Sequence, residues 1–399
     1  MHRVGLDISA LDVKFKSHAL RGIGRYVQEL SKYLVSNKHP DIEVGTFDHR
    51  EFREQGILNK VIDYLPAGRQ TIRQQLVYPF HLSNQKKKFD LLHFPAHMDA
   101  PSWSVNNYVL TVLDLIPLVL SDMYKANKAT LRFTFARWLE IKAIKNAGLI
   151  LAISQNTADD VHRILKIPQE RIVVTPLGID GMFFRDVSED EKLALYEKFK
   201  IPKGNKFVIY VGGIDPRKNY VSLIESFARL LEIEKEKGNK LPSLVMAGSI
   251  KNDREYPRLR KLIEDKGISD LVIEAGYVSD MDLPALYAIS SVLFFPSLYE
   301  GFGFTPLEAM AGGTPVICSP TSCMPEVLGD AAIFVDTKDY DTCALRMHEA
   351  LNNPGVKEAL RDKGIKRAAS YNWSKTGELT LAAYEKLIAK NYVKVSKAG

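Results

Sequence analysis

Pro296-Ser-Leu-Tyr-Glu300-Gly-Phe-Gly-Phe-Thr305-Pro-Leu-Glu308-Ala-Met-Ala-Gly-Gly-Thr-Pro315 decides how this chain is read. The apolar run at 292–295 leads into it and has the length of a buried strand. Glycines then form a turn, and a helix follows. Thr305 suits an N-cap, Pro306 a first helical residue, and Glu308 the third helical position. Such a helix start aims unpaired N–H groups and the positive end of a dipole outward, which suits a phosphate. Glu300 and Glu308, one on each side, accept hydrogen bonds from hydroxyls. A ligand carrying phosphate and sugars together fits both features. Thr305-x-x-Glu308 also reads as a capping box that satisfies only its own helix. Glu300 follows a strand, and open α/β sheets bind ligands at the C-terminal ends of their strands.

Working outward, strand-like and helix-like runs alternate twice over. Strands are expected at 4–8, 44–47, 91–94, 108–112, 149–153 and 172–175, then at 207–211, 244–247, 272–275, 292–295, 316–318 and 333–335. Helices fall between them. At 24–36, Ile23, Val27, Leu30 and Leu34 share a face; at 220–231, Leu223, Phe227, Leu230 and Leu231 do. This rhythm predicts an α/β protein with two doubly wound parallel sheets, and 399 residues suit two domains. The junction falls at Pro176–Arg185, before the acidic Ser188-Glu-Asp-Glu. Ligands of such pairs usually lie in the cleft between domains.

Several classes fall away. No apolar run approaches the ~18–20 residues of a membrane span. Met1-His-Arg-Val-Gly-Leu-Asp-Ile reads as a strand start rather than a signal peptide. Cys318, Cys323 and Cys343 lack zinc spacing, and reduced thiols in a cytoplasmic protein fit best. Residues 1–150 hold 21 Lys/Arg against 14 Asp/Glu, while the rest is nearly balanced. A basic front half reads as scattered solvated charge or as a face for an anionic partner. Arg69, Arg73 and Lys86–Lys88 around the apolar-aromatic Leu76-Val-Tyr-Pro-Phe80 favour anionic lipid, hence a peripheral position at the inner face of the plasma membrane.

Phe207-Val-Ile-Tyr-Val-Gly-Gly213-Ile-Asp-Pro-Arg217-Lys218-Asn219 opens the second half. A strand ends at Gly212-Gly213 and a helix starts near Asn219. Arg217 and Lys218 at that lip could neutralise a diphosphate, and a solvated turn is the plainer alternative. Gly22-Ile-Gly24 is a poor dinucleotide fingerprint, because Val27 holds the third glycine position and the loop from Asp7 is long. A glycine-rich loop approaching a phosphate or an acceptor, or a plain loop, fits better. Asp280-Met-Asp282 looks like a metal motif but reads as an acidic helix start. His93 and His97 flank Pro95, which argues against a helical metal pair and leaves structural or acceptor-side roles.

Together these residues resemble the retaining glycosyltransferases of family 4. The E-x7-E pair Glu300/Glu308 with Gly301-Phe-Gly-Phe304 carries the resemblance. So do Gly22-Ile-Gly-Arg-Tyr26, Ala152-Ile-Ser154, Val174–Ile179, Gly212–Asn219, Gly276-Tyr-Val278, Pro325-Glu-Val327 and Tyr371-Asn-Trp373. The resemblance covers nearly the whole chain. It implies the GT-B fold, two Rossmann-like domains facing a cleft: 1–178 for the acceptor, 179–373 for a nucleotide sugar, and 374–399 as a helix crossing back. It also implies roles. Arg217, Lys218 and Asn219, with Gly213, would hold the diphosphate; Gly303, Phe304 and Thr305 the phosphate and sugar through their N–H groups. Glu300 would contact the transferred sugar, Glu308 the ribose, and the backbone of Tyr277 and Val278 the base. Gly22 and Gly24 would approach the phosphate from the other domain, and Asp114 would orient the acceptor hydroxyl or the sugar. Catalysis would fall to Glu300, Arg217, Lys218 and Asp114, with no cofactor and no metal.

The partners implied are a GDP-, UDP- or dTDP-linked sugar, a glycan or lipid-linked acceptor of O-antigen or capsule type, and no nucleic acid. The donor sugar is mannose-like by default. Family members often read Val-His-Asp-Leu where this chain has Val112-Leu-Asp-Leu115. Leu113 leaves two readings open: other contacts replace the histidine, or the donor is a 6-deoxyhexose whose methyl group suits leucine. A nucleotide-sugar epimerase on the same architecture is the alternative, and a non-catalytic binding subunit a third reading.

Overall fold

The computed structural model describes residues 1–11, 22–48, 62, 78–103, 105, 107–125 and 131–396. Two open sheets of six parallel strands carry the chain. The first comprises β1 His2–Asp7, β2 Ile42–Phe47, β3 Leu91–Phe94, β4 Val109–Val112, β5 Leu149–Ala152 and β6 Ile172–Val174, in the order β2-β1-β3-β4-β5-β6. The second comprises β7 Phe207–Val211, β8 Ser243–Ala247, β9 Val272–Gly276, β10 Val292–Phe295, β11 Val316–Cys318 and β12 Ala332–Phe334, in the order β12-β11-β10-β7-β8-β9. All twelve match sequence-predicted strands within two residues at each end. The central ones are buried throughout, as sheets covered on both faces require.

In each sheet the strand order reverses once. The reversal lies between β1 and β3 in the first and between β7 and β10 in the second. Crevices open at such switch points, beyond the carboxyl ends of the strands. Sequence-distant loops therefore meet there: the loop after β7 meets the loop after β10.

The chain divides into two compact units, residues 1–178 joined by the segment from Asn372, and residues 179–371. Helix α1 (Gly22–Ser36) buries Val27, Leu30 and Leu34 as its spacing predicts. It begins at Gly22, so Gly22 and Gly24 lie in a helical first turn and not in a loop. Helix α2 (Tyr78–Lys88) ends in the exposed Lys86–Lys88. Its Tyr78 is buried in the core, so that ring of the expected lipid-facing segment turns inward. Arg69, Arg73, Leu76 and Val77 lie outside the described residues. Helix α3 (Leu131–Asn146) packs on the turn His97–Asp99, and helix α4 (Gln155–Leu165), capped by Ser154, packs on β5 and β6.

Helix α5 (Tyr220–Glu236) follows β7, helix α6 (Leu283–Ile289) precedes β10, and helix α7 (Phe304–Ala311) follows it. The last helix, α8 (Trp373–Ser396), packs on α1 and β5 of the first unit. Gly178 lies where the returning chain passes, and a Cβ there would stand 2.4 Å from the Trp373 nitrogen. Trp373 stacks on Tyr26, and the Thr376 hydroxyl donates to the Pro176 carbonyl at 2.7 Å.

A buried chain of polar groups ties α8 down. Tyr26 Oη meets Thr111 Oγ1 at 2.9 Å, Thr111 Oγ1 meets His93 Nε2 at 2.9 Å, and His93 Nδ1 meets Tyr384 Oη at 2.7 Å. Burial lowers the His93 pKa to about 3, so the ring is neutral and the chain links uncharged groups. Both His93 ring nitrogens are thus engaged with core hydroxyls, Nδ1 with Tyr384 and Nε2 with Thr111.

Candidate functional site

The loop after β7 is shaped by its own short contacts. Asp215 accepts the Arg217 N–H at 3.1 Å and starts a tight turn over Pro216–Lys218. Asn219, in the left-handed region at φ 54°, ends the turn, and α5 starts at Tyr220. Asn219 therefore precedes the helix, where its side chain donates to Thr337 Oγ1 at 3.2 Å. Gly213 offers its carbonyl to the buried Tyr210 hydroxyl.

Glu300 comes from the loop after β10 and closes onto both cations. Its Oε1 stands 2.6 Å from Lys218 Nζ, and its Oε2 stands 2.9 Å from an Arg217 guanidinium nitrogen. Arg217 also donates to the Tyr299 carbonyl at 3.0 Å, and Lys218 lies 4.8 Å from the Phe295 ring centre. Ser297 Oγ donates to Glu300 Oε1 at 2.6 Å. Burial alone would raise the Glu300 pKa, but the charges of Lys218 and Arg217 and hydrogen bonds from Lys218 and Ser297 outweigh it and hold the carboxyl below its ordinary value. Burial and the neighbouring Arg217 lower Lys218, with Glu300 pulling the other way. We read the carboxylate as ionised, since it faces two cations at hydrogen-bond distance. Asp215 Oδ1 also stands 3.8 Å from Arg217 Nε, so two cations face two carboxylates and the cluster is balanced in formal charge.

A second layer fixes the Glu300 peptide. Ser322 Oγ accepts its N–H at 3.0 Å. Cys323 Sγ donates to the carbonyls of Glu300 and Phe302, at 3.2 and 3.1 Å. Ser322 is held at φ 51°, a conformation uncommon for a residue with a side chain. Ser319 and Thr321 both donate to the Ser297 carbonyl. Sequence reasoning missed Ser297, Ser319, Thr321, Ser322 and Cys323. The available signal was a hydroxyl-rich run directly after β11, at the same end of the sheet.

Helix α7 starts two residues earlier than its sequence suggests. Gly303, at φ 104°, is the N-cap; Phe304 is the first helical residue, with Thr305 and Pro306 following inside the first turn. The positive φ lets glycine alone swing the chain into the helix, and Pro306 sits where no intrahelical N–H is needed. No side chain caps the helix, so the capping-box reading is not realised. Glu308 lies in the second turn, buried, with its Oε2 3.5 Å from the Tyr287 hydroxyl. Tyr277 is 68% exposed just beyond β9, and Val278 beside it is buried. Asp282 accepts from Ser279 and pairs with Lys198 at 2.8 Å immediately before α6, as the helix-start reading expects.

The structure thus brings Arg217, Lys218 and Glu300 into contact, with Gly213 and Asn219 in the same loop. The other expected groups lie in the first unit. Asp114 Oδ1 accepts the Ile116 N–H at 3.0 Å and starts the short helix Ile116–Val119. Leu113 is buried, and its N–H points at His97 Nδ1 from 3.4 Å. His97 Nε2 lies 3.0 Å from Glu140, which also pairs with Arg137 at 2.7 Å. Burial opposes a charge on His97, but Glu140 and the nearby Asp114 raise its pKa overall.

Comparison with known proteins agrees with this layout. The family model "Glycosyltransferase Family 4" matches residues 20–181, and "Glycosyl transferases group 1" matches residues 192–368. O-antigen chain mannosyltransferase B of Escherichia coli is 31% identical over 246 residues, 62% of each chain. The match therefore spans less than two thirds of that relative's length. Among solved structures, sucrose-phosphate synthase from Thermosynechococcus elongatus superposes with a TM-score of 0.72 at 20% identity, covering 98% of this chain and 100% of the other. Anabaena Alr3699/HepE, in complex with UDP and glucose, gives 0.69 at 15% identity, covering 96% and 100%. These likenesses show the GT-B fold. With a glycosyltransferase model matched in each half and that fold around them, the chain belongs to the GT-B glycosyltransferases.

Proposed function

We propose that this chain moves a hexosyl unit, mannose by default, from a nucleotide sugar to a glycan or lipid-linked acceptor in cell-surface polysaccharide synthesis. The transfer proceeds with retention and without a metal. The observation that carries this reading is the Arg217–Lys218–Glu300 cluster at the β7/β10 switch point. It offers two cations to a diphosphate and a carboxylate to sugar hydroxyls. The mannosyltransferase relative supports the sugar, and the UDP bound by HepE supports a nucleotide-linked donor.

In this reading the bond from the sugar's C1 to the terminal phosphate oxygen breaks, and its electron pair stays on the diphosphate. Arg217, Lys218 and the N–H groups opening α7 stabilise that charge as it grows, the largest single term in such catalysis. The acceptor oxygen bonds to C1 on the face the leaving group vacates. Its proton passes to the departing phosphate oxygen, so no enzyme nucleophile is needed. Asp114 orients the acceptor hydroxyl or the sugar. Glu308 takes the ribose and the backbone at Tyr277 and Val278 the base. Gly22 and Gly24 offer helix-start N–H groups to the phosphate.

The test is a thermal-shift panel of GDP-mannose, GDP-rhamnose, UDP-glucose and dTDP-rhamnose, because a ligand bound only by the folded state raises the melting temperature. GDP-mannose should give the largest shift, and transfer should persist in EDTA. A larger shift and faster turnover with a 6-deoxy donor would reassign the sugar. Release of a free epimer from donor alone would reassign the reaction.

A further inference from the structure

We propose that the outward face of helix α3 docks on an anionic lipid surface. The inward face is complete: Leu139, Ala143 and Ile144 are buried, and Glu140, the helix's one carboxylate, is bound to His97 and Arg137. A helix meeting only water on its other side should be polar there. Instead Phe135 and Trp138 are 56% and 53% exposed, stacked with ring centres 5.9 Å apart. Lys142 holds its ammonium 5.3 Å from the Trp138 ring centre, and Lys145 follows one turn later, both exposed. The spacing 135, 138, 142, 145 puts all four on one face. Among the described residues no other two exposed aromatic rings are in contact.

Charge selects the occupant. The α3 sequence has four basic residues against the one inward carboxylate, and Arg171 joins them by donating to the Lys145 carbonyl at 2.9 Å. A second copy of the chain would bring the same cations, and facing like charges disfavour that pairing. A bilayer matches both halves of the stripe. Aromatic rings settle at the boundary between headgroups and acyl chains, and lysines reach back to the phosphates. This surface belongs to the first unit and shares no residue with the β7/β10 cluster, so its failure would leave the transfer reading untouched.

The full chain is mixed with phosphatidylcholine vesicles, with or without phosphatidylglycerol, and the bound fraction is read by sedimentation. Binding should need phosphatidylglycerol and weaken with sodium chloride. Phe135→Ser with Trp138→Ser should lower partition at least about tenfold. Lys142→Glu with Lys145→Glu should lower it by about fivefold or more per residue. Donor-induced thermal shifts should stay unchanged in both variants, which also shows that they fold. Independently, brominated lipid should quench wild-type tryptophan emission, and that quenching should vanish in Trp138→Phe. Equal binding of wild type and the aromatic variant, or no binding to phosphatidylglycerol vesicles, overturns the proposal. So does a wild-type dimer that Trp138→Ser dissociates.

Discussion

The two switch points have the same topology and opposite chemistry. At β7/β10 in the second sheet, Arg217 and Lys218 share the Glu300 carboxylate, with Asp215 3.8 Å from Arg217. Among the described residues of the first unit, His97 beyond β3 is turned inward and Asp114 beyond β4 is half-buried. His97 is spent on Glu140, Glu140 on Arg137, and Asp114 on the start of its own helix. One cluster holds two cations that a diphosphate can engage. The other ties His97, Glu140 and Arg137 to one another as scaffolding. Strand order places a crevice, but the loops decide what can enter it.

The sharpest way to break this contrast is to remove one titratable side chain from each side. Glu300→Gln should lower transfer about 10²- to 10³-fold with the melting temperature little changed. His97→Gln should keep turnover within about tenfold. Equal losses in steady-state rates would end the division of labour. Next in size is Lys218→Ala. Losing a charge-assisted contact should weaken nucleotide diphosphate binding roughly 10- to 100-fold by calorimetry.

The third test concerns the neutral side of the contrast. His93 has a pKa near 6.5 when unfolded and about 3 when folded, so between those values the unfolded chain holds the extra proton. Its contribution is complete above pH 6.5 and is lost as the pH falls toward 3, by at most about 1.4 kcal/mol per pH unit. Urea unfolding at pH 7 and pH 5 should show this loss in the wild type and a flatter dependence in His93→Gln. The smallest effect is expected of Cys323→Ala. Without the thiol donor, the Glu300 loop should loosen, lowering kcat about two- to fivefold with little change in donor KM. A rise in KM alone would instead make Cys323 part of ground-state binding, and Cys323→Ser should recover most of the rate.

Legibility followed range. Both sheets were readable because their strands are short apolar runs between turn residues, a signal contained within each segment. Arg217, Lys218 and Glu300 were readable as separate candidates. Their mutual contact was not, since 82 residues separate Lys218 from Glu300 and only the strand order joins them. The start of α7 was misplaced because Thr305-Pro306 fits a cap so well. Gly303 at positive φ overrides that local preference. Ser322 and Cys323 stayed hidden because serine and thiol hydrogen bonds to backbone leave no periodic pattern. His93 looked like a site residue and proved a core one, its partners Thr111 and Tyr384 lying far away in sequence.

The return of α8 to the first unit has a consequence for biosynthesis. Residues 179–371 form an uninterrupted stretch and can reach their final packing while the ribosome is still working. The earlier-made 178 residues must wait, because Tyr384 and Trp373 arrive last. During that interval His93 and Tyr26 sit uncovered, so the half synthesised first is the half that matures second.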